Sequence, residues 1–250
     1  MSRRRALGLI LTAGAGVLAS ASASPAQTAS GGTPAGGSEV VGCKPRPGVV
    51  TASGPQNRRQ VALTFDDGPS LTQTPAILRI LNRLHTHATF FELGRHVKNR
   101  DVLMGEILAS GDEIGNHSFH HPEYPGYGEL AETNQRIEAA TGFRPCLFRP
   151  PYGLIDGKVV SAAKRLGLQL ILWDVDSLDD KHPGAAAIRA NVLSQAGPGS
   201  IVLLHDGGHH PQTVRALPGI IEGLRGRGFG FATVTKLLGE RFSGQRSDRR

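Results

Sequence analysis

From residue 60 onward the chain alternates short apolar runs with longer stretches in which apolar residues recur every three or four positions. The runs at 60–65, 88–93, 113–116, 147–149, 168–175, 200–205 and 230–233 read as strands. Between them, 75–84, 102–110, 128–141, 158–166, 185–195 and 213–225 read as helices. Ile77, Ile80, Leu81 and Leu84 show the helical spacing and give one face to bury. Pro75 suits a first turn, and Gly142 and Gly167 suit helix ends.

Strands that alternate with helices of this length predict βαβ units and a mainly parallel sheet. Polar residues gather just after the first, third, fourth, fifth and sixth strands. An open sheet would use one switch point for a site, whereas a barrel brings all strand ends to one rim. The expected fold is therefore a distorted (β/α) TIM-like barrel with about seven parallel strands.

Composition narrows the class further. Over 250 residues, 39% hydrophobic and 20% charged content excludes a disordered chain, and 33 glycines without a three-residue period exclude collagen. Ser2-Arg3-Arg4-Arg5, the apolar stretch 6–18 and the small residues 19–26 form a signal-peptide pattern, with cleavage after Ala23 or Ala26. The run is shorter than a membrane span needs. The chain is expected to be secreted, extracellular or at the cell wall, with no stable membrane anchor and as a monomer. The expected organisation is a signal peptide at 1–23, a flexible linker and N-terminal extension at 24–57, a catalytic domain at 58–240 and a basic tail at 241–250.

The net charge falls from +7 to +4 once the three leader arginines are removed. No basic run interleaved with aromatics occurs, so no nucleic-acid partner is expected. Cys43 and Cys146 are the two cysteines. In an oxidising compartment one Cys43–Cys146 bridge is expected, with two separate thiols as the alternative.

Five polar clusters carry the chemistry. Thr64-Phe65-Asp66-Asp67-Gly68-Pro69 ends a strand in two carboxylates. Alternation along a strand sends neighbouring side chains different ways, which suits one acid to a metal and the other to water. A solvated Asp-Gly turn is the plain alternative. In Asn116-His117-Ser118-Phe119-His120-His121-Pro122, His117 and His121 stand four apart, the spacing of two imidazoles on one helical turn. With one aspartate they make three ligands of a zinc site with an open position. His120 falls on another face, and the later His209-His210 pair reads as incidental. Phe148-Arg149-Pro150-Pro151-Tyr152-Gly153 is a rigid turn that suits Arg149 to a carboxylate and the Tyr152 N–H to an oxyanion. The stretch from Trp173 to Asp180 is acid-rich, and Ile201 to Asp206 ends a strand at His205. A histidine held by a nearby acid is a general acid.

TFDDGP, HSFHH, RPPYG, DSLDD and LLHD, in this order, resemble the motifs of the polysaccharide deacetylase family (carbohydrate esterase family four, the NodB-homology domain). The resemblance runs from about Val61 to Leu238, and Ala88-Thr89-Phe90-Phe91 also resembles the family's second strand. It implies a secreted, metal-dependent enzyme that hydrolyses N-acetyl groups of N-acetylglucosamine glycans, chitin oligomers or peptidoglycan, with an acetylated glycan as partner. An acetylxylan esterase or a non-catalytic glycan-binding relative is the alternative. The resemblance makes Asp66 the general base and Asp67, His117 and His121 the ligands of a divalent metal, Zn2+ or else Co2+. Arg149 would orient Asp66, Tyr152 would supply the oxyanion N–H, and Leu203 would line the acetyl pocket. His205 would be the general acid and Asp179 its partner. Asp180 departs from the pattern, because the family commonly has a tryptophan there to wall the site. Its replacement by a carboxylate opens that wall or leaves Trp173 or another group to cover it.

Overall fold

In a computed structural model of the chain, the described residues are 45–239 together with the backbone of 42–43 and 242–243. The expected signal peptide, the linker up to 41 and most of the 241–250 tail lie outside them. In chain order the first half comprises β1 (Gly42–Cys43), β2 (Val50–Thr51), β3 (Gln60–Asp66), α1 (Gln73–Arg83), β4 (Ala88–Glu92), α2 (Gly94–Val97), α3 (Asp101–Ala109), β5 (Glu113–Asn116) and α4 (Tyr127–Thr141). There follow β6 (Leu147–Phe148), α5 (Gly157–Arg165), β7 (Gln169–Ile171), β8 (Val175–Asp176), α6 (Ala185–Gln195), β9 (Ile201–His205), α7 (Pro211–Gly226), β10 (Gly230–Phe231), α8 (Val234–Leu237) and β11 (Phe242–Ser243).

The central sheet is parallel throughout and runs β2-β7-β6-β5-β4-β3-β9-β8, with β10 on the first residues of β3. It curls into a half-barrel with helices around it, as the alternation of elements predicts. Its nine strands exceed the expected seven for two reasons. The extension before residue 58 supplies β2, which pairs with β7. The apolar run 168–175, expected as one strand, is cut into β7, next to the β2 edge, and β8 at the opposite edge of the sheet. Residues 172–174 cross between those edges: Leu172 N–H donates to Thr51 and Asp174 N–H to Ile201. An apolar run buried on both sides carries no periodicity that would reveal such a break.

Alternation along the strands sorts the core into two layers. Val61, Leu63 and Phe65 of β3 pack outward with Phe90, Val202, Leu204 and the helix residues Ile77, Leu81, Leu217 and Ile221. Ala62 turns inward with Phe91, Leu147, Ile171 and Ile201, against Val234 and Leu237 of α8. Thr64 and Asp66 continue the inward column. The end of the barrel below them is closed by the buried Glu113, which accepts from Thr89 Oγ1 at 3.0 Å, from Thr235 N–H at 3.1 Å and from Thr235 Oγ1. Polar groups at the opposite end are left to line a cavity.

Candidate active site

Strand register sets the first pairing. Asp66, the last residue of β3, lies opposite His205 of β9 and Phe91 of β4. Asp66 is buried, and its Oδ1 accepts from Arg149 Nη1 at 2.8 Å. Arg149 is fully buried. It also donates to Thr64 Oγ1 at 2.7 Å and to the carbonyls of Ile171 and Leu172, and its guanidinium lies 4.2 Å from the Phe91 ring centre. Burial works to lower its pKa, and the Asp66 charge opposes that.

Asp67 adopts a left-handed backbone with φ 72°. That conformation undoes the divergence expected of neighbouring strand side chains. His117 Nε2 lies 3.7 Å from Asp66 Oδ2 and 3.4 Å from Asp67 Oδ1, so both acids face one imidazole. His121 Nε2 is also 3.4 Å from Asp67 Oδ1. The expected helical turn does not exist, because 117–121 is irregular and Ser118 and His121 have φ of 69° and 67°. Side chains from neighbouring elements hold this loop instead. Glu129 of α4 accepts from the Phe119 and His120 N–H groups and bonds the His120 ring, while Asn116 Oδ1 accepts from Ser118 N–H. His120 is thereby turned away from the other two histidines.

The donor set of Asp67, His117 and His121 suits a divalent metal. One ligand atom from each lies within 4.8 Å of the others. His117 Nδ1 donates to the Arg149 carbonyl at 2.8 Å, which leaves the Nε2 lone pair aimed at Asp67. Asp67 Oδ1 is buried without a hydrogen-bond partner. An imidazole lone pair facing an orphaned carboxylate oxygen needs a cation between them. Burial alone would raise the Asp67 pKa, but its close approach to His117, and to His121 and His205 beyond it, holds it well below the usual carboxylate range. Burial depresses His121, and the neighbouring His117 adds to that.

On the other side of the cavity Asp179 grips His205. Its Oδ1 lies 2.7 Å from His205 Nδ1, and its Oδ2 accepts from the His205 N–H and from Thr213 Oγ1 at 2.6 Å. Burial would lower the His205 pKa, but the Asp179 hydrogen bond and charge outweigh it and push the imidazole up to about 9. Thr213, at the start of α7, gives no sign in the sequence of belonging here. His210 corrects the sequence reading as well. Its ring stands 5.3 Å from that of His205, and it lines the cavity. His209 does not line it.

The cavity has a volume of about 340 Å³. Leu203 forms part of its floor, and Tyr152, Trp173, Asp176, Asp180 and His210 form its walls. Tyr152 has φ 58°, its ring lies 4.5 Å from that of His121, and it is exposed. The hydrogen bonds of its turn run from Gly153 N–H to Pro150 and from Leu154 N–H to Pro151, and neither uses the Tyr152 N–H. Asp180 pairs with Lys181 at 2.8 Å on the exposed rim, and Trp173 supplies the aromatic wall. Cys146 is disulfide-bonded; the side chain of Cys43, the other cysteine, lies outside the described residues.

The sequence model for polysaccharide deacetylase matches residues 53–171. A peptidoglycan-N-acetylglucosamine deacetylase of Bacillus cereus is 39% identical over 199 residues, which covers 76% of this chain and 93% of that protein. The chain belongs to the polysaccharide deacetylase family. Among its relatives in this family is a chitooligosaccharide deacetylase of Sinorhizobium fredii, 36% identical over 68% of this chain and 87% of that protein. The solved structure of the Bc1960 peptidoglycan N-acetylglucosamine deacetylase superposes with a TM-score of 0.74 and 34% identity, covering 77% of this chain and 94% of that one. BA3943, a CE4 family pseudoenzyme from Bacillus anthracis, superposes at 0.71 with 33% identity, over 76% and 69% of the two chains. The enzyme class of the chain is that of a carbohydrate deacetylase, a hydrolase acting on a carbon–nitrogen bond.

Proposed function

We propose that this protein is a secreted, metal-dependent deacetylase that removes N-acetyl groups from N-acetylglucosamine units of peptidoglycan or chitin-type oligomers. The observation that carries this reading is the convergence of Asp67, His117 and His121 between Asp66 and His205 at one end of the barrel. Asp67, His117 and His121 would hold the metal, and their nitrogen and oxygen donors suit Zn2+, with Co2+ as a substitute. When bound, the metal supplies Lewis-acid chemistry, polarising the acetyl carbonyl and lowering the pKa of water from about 15.7 toward about 7.

The protein's own groups do the rest. Asp66, fixed by Arg149, takes the proton of the attacking water. The Tyr152 N–H stabilises the tetrahedral oxyanion. Leu203 receives the acetyl methyl group. His205, kept protonated by Asp179, gives its Nε2 proton to the departing amine, because an amide nitrogen leaves poorly without one. Export through the 1–23 signal peptide supports an extracellular polymer as substrate and accounts for a disulfide at Cys146, with Cys43 as its partner.

An acetate-release panel on peptidoglycan, chitin oligomers and acetylated xylan, with defined metal content, tests the reading. Acetate from the first or second supports it. Release from xylan alone makes the protein an acetylxylan esterase. Retention on a glycan without acetate release makes it a binding relative.

A further inference from the structure

A second cavity of about 280 Å³ lies behind the Asp67–Pro69 backbone, lined by Pro69 to Thr72, His96, Arg100, Gly207 and Gly208. It shares that backbone wall with the metal-ligand cavity, since Asp67 lines one and Pro69 the other. The segment flanking it reads Gly94-Arg95-His96-Val97-Lys98-Asn99-Arg100, three cations with no acid among them. Arg100 spends one N–H on the Pro69 carbonyl. A guanidinium has five such donors, so the others remain for a ligand. No carboxylate among the described residues forms an ion pair with Arg100; the nearby Glu92 carboxyl is fully buried behind the wall. Ser70 Oγ already accepts from the Thr72 and Gln73 N–H groups and lies 3.3 Å from Thr72 Oγ1. One of these two hydroxyls donates to the other, and the remaining proton is free. His96 is the back wall, with Nδ1 donating to the Asp67 carbonyl at 2.9 Å. The cavity thus offers a guanidinium and a hydroxyl, on a side-chain-free glycine floor, one loop's thickness from the reacting centre.

We propose that this cavity is a carboxylate subsite, with Arg100 as its cation, for an anionic substituent on the sugar next to the one being deacetylated. It rests on the deacetylase reading and narrows the substrate to carboxylate-bearing N-acetylglucosamine polymers over neutral chitin chains. In peptidoglycan such a carboxylate comes from the lactyl ether of the neighbouring sugar or from its stem peptide. A bidentate guanidinium–carboxylate contact gives both charge and orientation.

The test uses metal-loaded enzyme and two glycan sets, peptide-free strands and strands that keep their stem peptides, each as the free acid and as the methyl ester. Esterification is expected to lower kcat/KM about tenfold, through KM. A preference for the acid in peptide-free strands assigns the lactyl group, and one confined to peptide-bearing strands assigns the stem; either supports the subsite. Arg100→Gln should bring the acid-to-ester ratio toward one, and Arg100→Lys should retain part of it. The ratio is internally normalised, so a general loss of activity in either variant does not mimic this result. Acetate release at equal rates from acid and ester in the wild-type enzyme overturns the subsite alone. No acetate from any of the glycans overturns the deacetylase reading and the subsite together.

Discussion

Asp179 holds His205 by two atoms at once, with Oδ1 at 2.7 Å from the ring Nδ1 and Oδ2 at 2.9 Å from the same residue's backbone nitrogen. One carboxylate therefore fixes the ring's orientation, its tautomer and its charge. The protonated form of His205 is present below its pKa and lost as pH rises through it, so with His205 as the proposed acid the basic limb of the pH–rate profile is expected to follow this pair. Asp179 raises that pKa toward about 9. Asp179→Asn should move the basic limb to lower pH and reduce kcat on the order of 10- to 100-fold. A limb that stays in place in the variant would show that another group sets it.

Removal of His205 separates amide from ester chemistry. His205→Ala should cut N-deacetylation by about 100- to 10,000-fold. Acetate release from an activated aryl ester, whose leaving group needs no proton, should fall far less. Equal losses on the two substrates would count against His205 as the acid.

The proposed metal dependence is tested at Asp67, His117 and His121. Thorough chelation should abolish acetate release, and zinc or cobalt should restore it. His121→Ala should weaken metal binding by at least about 100-fold in a competition assay with a chromogenic chelator. Full activity in rigorously metal-free protein would falsify the assignment.

Arg149 is expected to couple folding to catalysis through its contact with Asp66. Truncating it as Arg149→Met strips the buried Asp66 of its cation and leaves an unpaired charge, a loss of about 3–5 kcal/mol. Denaturant titration should show the midpoint falling, and the refolded fraction should have a depressed kcat. An unchanged midpoint would mean that Asp66 is neutralised in some other way.

Gly207 permits a close approach that no other residue allows. A Cβ at this position would overlap the Asp67 carbonyl backbone and the Asp67 Cβ. Gly207→Ala must therefore displace the loop that carries Asp67. Metal affinity should fall by at least about tenfold while global stability changes by only about 1–3 kcal/mol. Unaltered affinity would show that the loop has room to adapt.

Much of the architecture was legible in the order of residues. Alternating apolar runs and helical stripes marked six of the eight α-helices among the described residues, and the strand–helix repeat, because period and length are local properties of the chain. The one-turn helices α2 and α8 escaped, being too short to show a period. The polar ends of successive strands announced Asp66, Asp67, His117, His121, Arg149, Asp179 and His205, since parallel strands bring their ends to one rim. The sequence by itself thus determined the elements, their order and the chemistry available at that rim.

Tertiary structure decided how those groups meet. The left-handed backbone at Asp67 and His121 turned an expected divergence and an expected helix face into one convergent donor set. Glu129, Thr213 and His210 joined the site from two helices and a loop, with no local signal to mark them. The break of 168–175 into two strands at opposite ends of the sheet, and the cover that Trp173 provides where Asp180 does not, likewise depend on where the sheet stops short of closure. Periodicity records which face of an element is buried. It holds no record of backbone sign at single residues or of contacts made across a hundred positions.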